Sequence, residues 1–145
     1  MDRLQSPLSF RVCFAGAESK GESIWLHCSS EMEKTAWTRT ILCAARVQVL
    51  IRENETAKKS GTTAVRETTQ LRLDAFIGKH QCTYQGYMEK LSLKSQRNWK
   101  RRYFVLAEGG TFSYFENETM KKPKHPFAVT ADTAVFGIGK TKITL

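Results

Sequence analysis

Residues 8–14 alternate apolar with polar or small side chains, Leu8, Phe10, Val12 and Phe14 against Ser9, Arg11 and Cys13. That is the period-two pattern of a strand. Residues 24–28 form a second short β-like run, and the turn-rich stretch 15–21 between them predicts a hairpin. Ser30 and Glu33 then fit a capping box, in which the serine oxygen and the glutamate three residues on satisfy free backbone N–H groups at a helix start. Along that helix Met32, Ala36, Trp37, Ile41, Ala44 and Ala45 recur at three- and four-residue steps, while Glu33, Lys34 and Arg39 take the other face.

From about Arg52 to Gln70 the pattern fades into a polar, Thr-, Glu- and Lys-rich stretch with Gly61 in its middle. It predicts a linker without fixed structure, part of a connection over residues 51–83. Leu71, Leu73, Phe76 and Ile77 make a small apolar island expected to pack on a neighbouring domain. Strand patterns return at residues 86–93, 99–106 and 111–115, the last two separated by the turn Glu108, Gly109, Gly110. Residues 127–129, 134–138 and 141–145 are weaker strand candidates, and the prolines of residues 122–126 argue against regular pairing there.

Side chains two apart on a strand share a face, so Lys100, Arg102, Phe104 and Leu106 point one way, as do Met88 and Lys90 on the strand before. One face therefore runs from apolar to basic. In a small barrel that places Phe104, Leu106 and Met88 in the core and leaves Lys90, Lys100 and Arg102 at an open mouth, with Lys94 and Arg97 on the connecting loop.

Charge sharpens this picture. The 145 residues carry a formal net charge of +9, to which residues 84–145 contribute +6, with eleven Lys/Arg against five Asp/Glu. Between Lys90 and Arg102 there are six basic residues and no acidic one. Guanidinium and ammonium groups suit phosphate oxygens, but spacing alone leaves a phosphate pocket and a merely solvated basic face both open.

A composition of 41% hydrophobic and 26% charged residues with 3 Pro predicts a packed core and excludes collagen-like and broadly disordered classes. No apolar run approaches the roughly 20 residues of a spanning helix, and residues 1–7 lack the apolar stretch of a secretory signal, so a cytoplasmic location is expected. Cys13, Cys28, Cys43 and Cys82 show no metal or redox spacing and are expected as free, mostly buried thiols. His27, His80 and His125 share no ligand spacing with them, so no metal and no cofactor are predicted. The absence of a nucleophile motif or a glycine-rich phosphate loop argues against an enzyme. Trp37 and Trp25 are read as core residues.

Gly86 to Lys90, followed by Trp99 to Leu106, resembles the first two strands of the pleckstrin-homology (PH) family, in particular its phosphoinositide-binding members. On that resemblance Lys90, Lys100 and Arg102 match the pocket lysines and arginine. Phe112 to Phe115 looks like the third strand, where Tyr114 would donate its hydroxyl to a ring phosphate, and Lys124 stands near a further basic ligand. Residues 24–41 look like the closing strand and barrel-plugging helix of the same fold, so the halves stand in inverted order. The fold implied is mainly β with one capping helix: a PH-like, seven-stranded, partly open barrel assembled from residues 1–50 and 84–145. The halves would join within one chain as a permuted barrel or between two as a domain-swapped homodimer, or belong to separate tandem modules.

The function implied is that of a membrane-targeting adaptor module that recognises inositol phosphate headgroups through Lys90, Lys94, Arg97, Lys100, Arg102, Tyr114 and Lys124. It would be reversibly held at the cytoplasmic face of anionic membranes. The rival readings are a protein-docking PH-like scaffold without specific lipid affinity and, less favoured, a basic single-stranded nucleic-acid binder using Tyr87, Trp99 and Tyr103.

Overall fold

The structure is a computed structural model that describes residues 3–15, 22–92 and 98–145. Eight strands form one antiparallel sheet. β1 (Ser9–Cys13) and β2 (Ser23–His27) pair as the expected hairpin and lead into α1 (Glu31–Ser60), followed by α2 (Thr63–Lys79). Then come β3 (Tyr84–Leu91), β4 (Trp99–Leu106), β5 (Thr111–Phe115), β6 (Lys124–Ala128), β7 (Ala134–Phe136) and β8 (Lys142–Ile143). The order across the sheet is β6-β5-β4-β3-β2-β1-β7-β8.

Two pairings join the distant parts of the chain. β2 meets β3 at Leu26↔Lys90 and His27↔Glu89, and β1 meets β7 over Arg11↔Phe136, Val12↔Val135 and Cys13↔Ala134. Both pairings lie within one chain. The sheet has eight strands rather than seven, and strand pairing does not close it into a barrel. Its β6 end nonetheless folds across the core towards β1: Phe127 of β6 stacks on Phe14, the residue after β1, at 4.4 Å. At the β4–β5 turn Gly110 has φ +89, and a Cβ there would meet the Val129 carbonyl oxygen at 2.8 Å, so the approach of the two segments requires glycine.

A single main core draws on both segments. Phe10, Val12, Leu26, Trp37 and Ile41 from the first pack with Met88, Phe104, Leu106, Phe112 and Val135 from the second. Ser30 caps α1 as predicted, its hydroxyl accepting from the Glu33 N–H at 3.1 Å. Trp37 fills the centre of the core. Trp25 does not join it: odd positions of β2 point away from Leu26, and Trp25 sits half-buried on the opposite sheet face with the Arg11 guanidinium 5.7 Å over its ring.

The stretch expected as an unstructured linker is helical. α1 continues to Ser60 and α2 packs back on it, so residues 51–79 form a helical hairpin broken only at Gly61 and Thr62. Its buried positions are few, Leu50, Asn54 and Ala57 on α1 and Leu73 on α2, too sparse and mixed a stripe to announce the helices. Asn54, only 4% exposed, donates to Gln70 Oε1 at 2.8 Å and accepts from the Thr69 hydroxyl at 2.9 Å. The apolar island is divided: Leu73 is buried, Phe76 half-buried, and Leu71 and Ile77 face solvent.

A second correction concerns β6, which begins at Lys124 and runs through Pro126. Proline lacks the N–H of a ladder bond, but β6 is an outer strand, and its pairing with β5 is irregular between Phe112 and Tyr114.

Candidate anion-binding site

Strand register brings the predicted cluster together. Lys90 lies opposite Lys100, Met88 opposite Arg102, Phe104 opposite Tyr114, and Tyr114 opposite Lys124. Directly opposed residues share a sheet face, so Lys90, Lys100, Arg102, Tyr114 and Lys124 all stand on the core-facing side, at the end where apolar residues give way to basic ones. Lys94 and Arg97 lie outside the described residues.

Lys90 is the unusual member. It is 8% exposed, flanked by Leu26 on one neighbouring strand and Lys100 on the other, and its ammonium nitrogen lies 5.1 Å from the centre of the Tyr114 ring. Burial holds its pKa below the ordinary 10.5, and the charges of Arg102, Lys100 and Lys124 push it the same way. Among the described residues no carboxylate lies within ion-pair distance of any of these four cations. Among the described residues its compensation is the face of Tyr114, a cation–π contact. Tyr114 is itself buried, which raises its phenol pKa against the opposing pull of Arg102, and its hydroxyl remains protonated at neutral pH.

Arg101 points to the other face, where its guanidinium stacks 3.8 Å from the Tyr87 ring centre and Tyr87 meets Tyr103 edge-on at 5.0 Å. Arg102 is half-buried and donates through Nη1 to the Arg101 carbonyl at 2.8 Å. Two further lysines, Lys121 and Lys122, line an open depression with Lys124, Asn117 and Thr119 beside β5. Reading the chain strand by strand missed them, because the β5–β6 loop has no period from which to place a side chain.

The other ionisable groups lie apart from this cluster. His27 Nδ1 meets the Ser9 hydroxyl at 2.9 Å, and that hydroxyl donates to the Arg3 carbonyl at 2.5 Å. Ser9 is fully buried, so the pair fastens the first turn to the sheet. Cys13, Cys28 and Cys43 are buried free thiols and Cys82 is half-buried; burial pushes the Cys28 thiol up to about 12. No helix among the described residues is long and apolar enough to cross a membrane.

No protein-family model, curated protein or solved structure matches this chain.

The Lys90 environment makes a prediction about stability. Because folding lowers its pKa, the unfolded chain binds more protons between the folded value and 10.5, and stability should rise as pH climbs through that window. Lys90→Met keeps the volume and removes the buried charge. It should raise stability at pH 7 by about 1 kcal/mol, or about 3 °C in Tm, and flatten the alkaline rise. Thermal melts of both proteins from pH 7 to pH 10 check this, and an unchanged or lower Tm for the variant would contradict the assignment.

Proposed function

We propose that this chain is a phosphoinositide-binding module of permuted PH-like organisation that attaches reversibly to anionic membranes through inositol phosphate headgroups. The observation that carries the reading is Lys90: a buried ammonium group ringed by Arg102, Lys100 and Lys124, with no carboxylate to offset it among the described residues. Such an arrangement is costly without an anion, and a phosphate group supplies several acceptor oxygens at once. Arg102 offers a planar fork to two of them, Lys100 and Lys124 flank it, and the Tyr114 hydroxyl donates a further hydrogen bond. The pairing of β2 with β3 supports the permuted reading, since it joins in one sheet the strand before the helix and the strand that opens the basic hairpin.

The test is titration calorimetry of the full chain against a panel of soluble inositol phosphates, with a single-stranded oligonucleotide and inorganic phosphate alongside. A pocket prefers particular phosphate positions on the ring and retains that preference as salt is raised. A charged face follows total ligand charge and weakens steeply with salt. Equal affinity for all polyanions of the same charge would overturn the reading in favour of nonspecific binding. No affinity for any of them would leave the protein-docking alternative.

A further inference from the structure

The link between the two parts of the sheet is a hinge of two residues. Both Gly61 and Thr62 already have φ near the helical range, −88° and −72°; only their ψ angles, 162° and 166°, depart from it. Two ψ rotations would therefore merge α1 and α2 into one continuous helix, about 70 Å long at 1.5 Å per residue. The Gly61 N–H already donates to the Ala57 carbonyl at 2.7 Å, the bond that a continuing helix would make. Glycine is a poor helix former, which lets the chain leave the helix at this position.

Straightening would carry β1, β2 and α1 away from β3–β8. In a lone chain that exposes Trp37, Phe104 and Phe112 and strips the Asn54 amide of both its α2 partners. A second straightened copy restores every one of these contacts between chains: Asn54 to Gln70 and Thr69, Glu53 to Arg72, Leu26 opposite Lys90, Val12 opposite Val135. Only the hinge itself differs between the closed monomer and such a pair, and the buried Asn54 fixes the register in which the helices meet.

We propose that Gly61 and Thr62 form an exchange hinge, through which two copies of this chain swap residues 1–60 and assemble a dimer with two complete sheets. Each sheet draws β1 and β2 from one copy and β3–β8 from the other, so the dimer carries two basic clusters.

Two substitutions move the hinge in opposite directions. Gly61→Ala disfavours the bend and favours continuous helix. Thr63→Pro falls at the first position of α2, which proline favours, follows a residue already at ψ 166°, and keeps the Thr62 cap on the Val65 N–H; inside a straight helix it would be a breaker. In sedimentation velocity of the full chain over a concentration series, Gly61→Ala should lower the monomer–dimer dissociation constant at least tenfold, and Thr63→Pro should raise it at least tenfold.

Exchange is separated from side-by-side association by Ala134→Cys, which places a thiol directly opposite the native Cys13 across the β1–β7 pairing. Opposed Cα atoms there fall within disulfide range. With oxidised glutathione as the disulfide donor, dimers of the Gly61→Ala protein should give covalent dimers on a non-reducing gel. Dimers that cross-link only within single chains, or a Gly61→Ala protein as monomeric as the parent, would overturn the proposal. If Gly61→Ala fails to fold by circular dichroism, the parent and Thr63→Pro proteins, each carrying Ala134→Cys, decide it. Interchain cross-links rising with concentration in the parent alone support exchange, and their absence at the highest concentration rejects it.

Discussion

Arg102→Ala should weaken binding of a soluble inositol phosphate by about ten- to a hundredfold, because hydrogen bonds to charged groups contribute roughly 1.5–3 kcal/mol and the arginine fork makes two. The structure gives this expectation an internal control of the same charge. Arg101 is the adjacent residue, but its guanidinium lies over Tyr87 on the opposite face of the sheet, away from Lys90. Arg101→Ala should leave soluble-headgroup affinity within about twofold and cost about 0.5–1 kcal/mol of fold stability from the lost cation–π contact. Calorimetry of both variants with the same ligand makes the comparison. Equal losses would mean that the ligand senses only total charge, and the headgroup-specific function would fall.

Trp37→Ala should lower stability by about 3–5 kcal/mol, a large part of the roughly 5–15 kcal/mol that holds a domain of this kind together. Trp37 is fully buried and meets Tyr84, Phe104 and Phe112 edge-on, with ring centres 4.8, 6.4 and 5.9 Å away. All three partners belong to residues 84–145, so the loss falls on the joint between the two segments. Trp37→Phe should cost far less, since it retains most of the ring contact and removes an indole N–H that is buried without a partner among the described residues. Chemical denaturation of the three proteins orders them, and a Trp37→Ala variant as stable as the parent would show that the segments do not depend on each other.

Strand alternation made β3, β4 and β5 legible in the sequence, together with the side of the sheet on which Lys90, Lys100 and Arg102 stand, because a period of two leaves little choice of face. The cap at Ser30 and the buried positions Trp37, Ile41, Ala44 and Ala45 of α1 were readable for the same reason, a local rule that links residue type to position, but Met32, read on the same face, is 82% exposed in the first turn. The second half of α1 and all of α2 were not. Their few buried positions, Leu50, Ala57 and Leu73, flank Asn54, which bonds to Thr69 and Gln70 across the hairpin, and so sparse and mixed a stripe looks in sequence like a solvent-facing stretch. Trp25 was misplaced because aromatic character suggested burial where strand alternation set it on the face opposite Leu26. The depth of Lys90 was also beyond reach, since it depends on β2 lying alongside β3, a neighbour far removed along the chain.

The same long-range pairing bears on how the chain is made. The hairpin of β1 and β2 leaves the ribosome before the rest of this sheet, at roughly 5–20 residues per second, with Phe10, Val12 and Leu26 presented to solvent. The strands that cover its two edges, β3 and β7, emerge only after both helices have been synthesised, and β7 only after the β3–β6 meander as well. For those seconds the nascent chain carries an apolar ribbon with both edges open, the kind of surface that chaperones hold and that neighbouring nascent chains can capture.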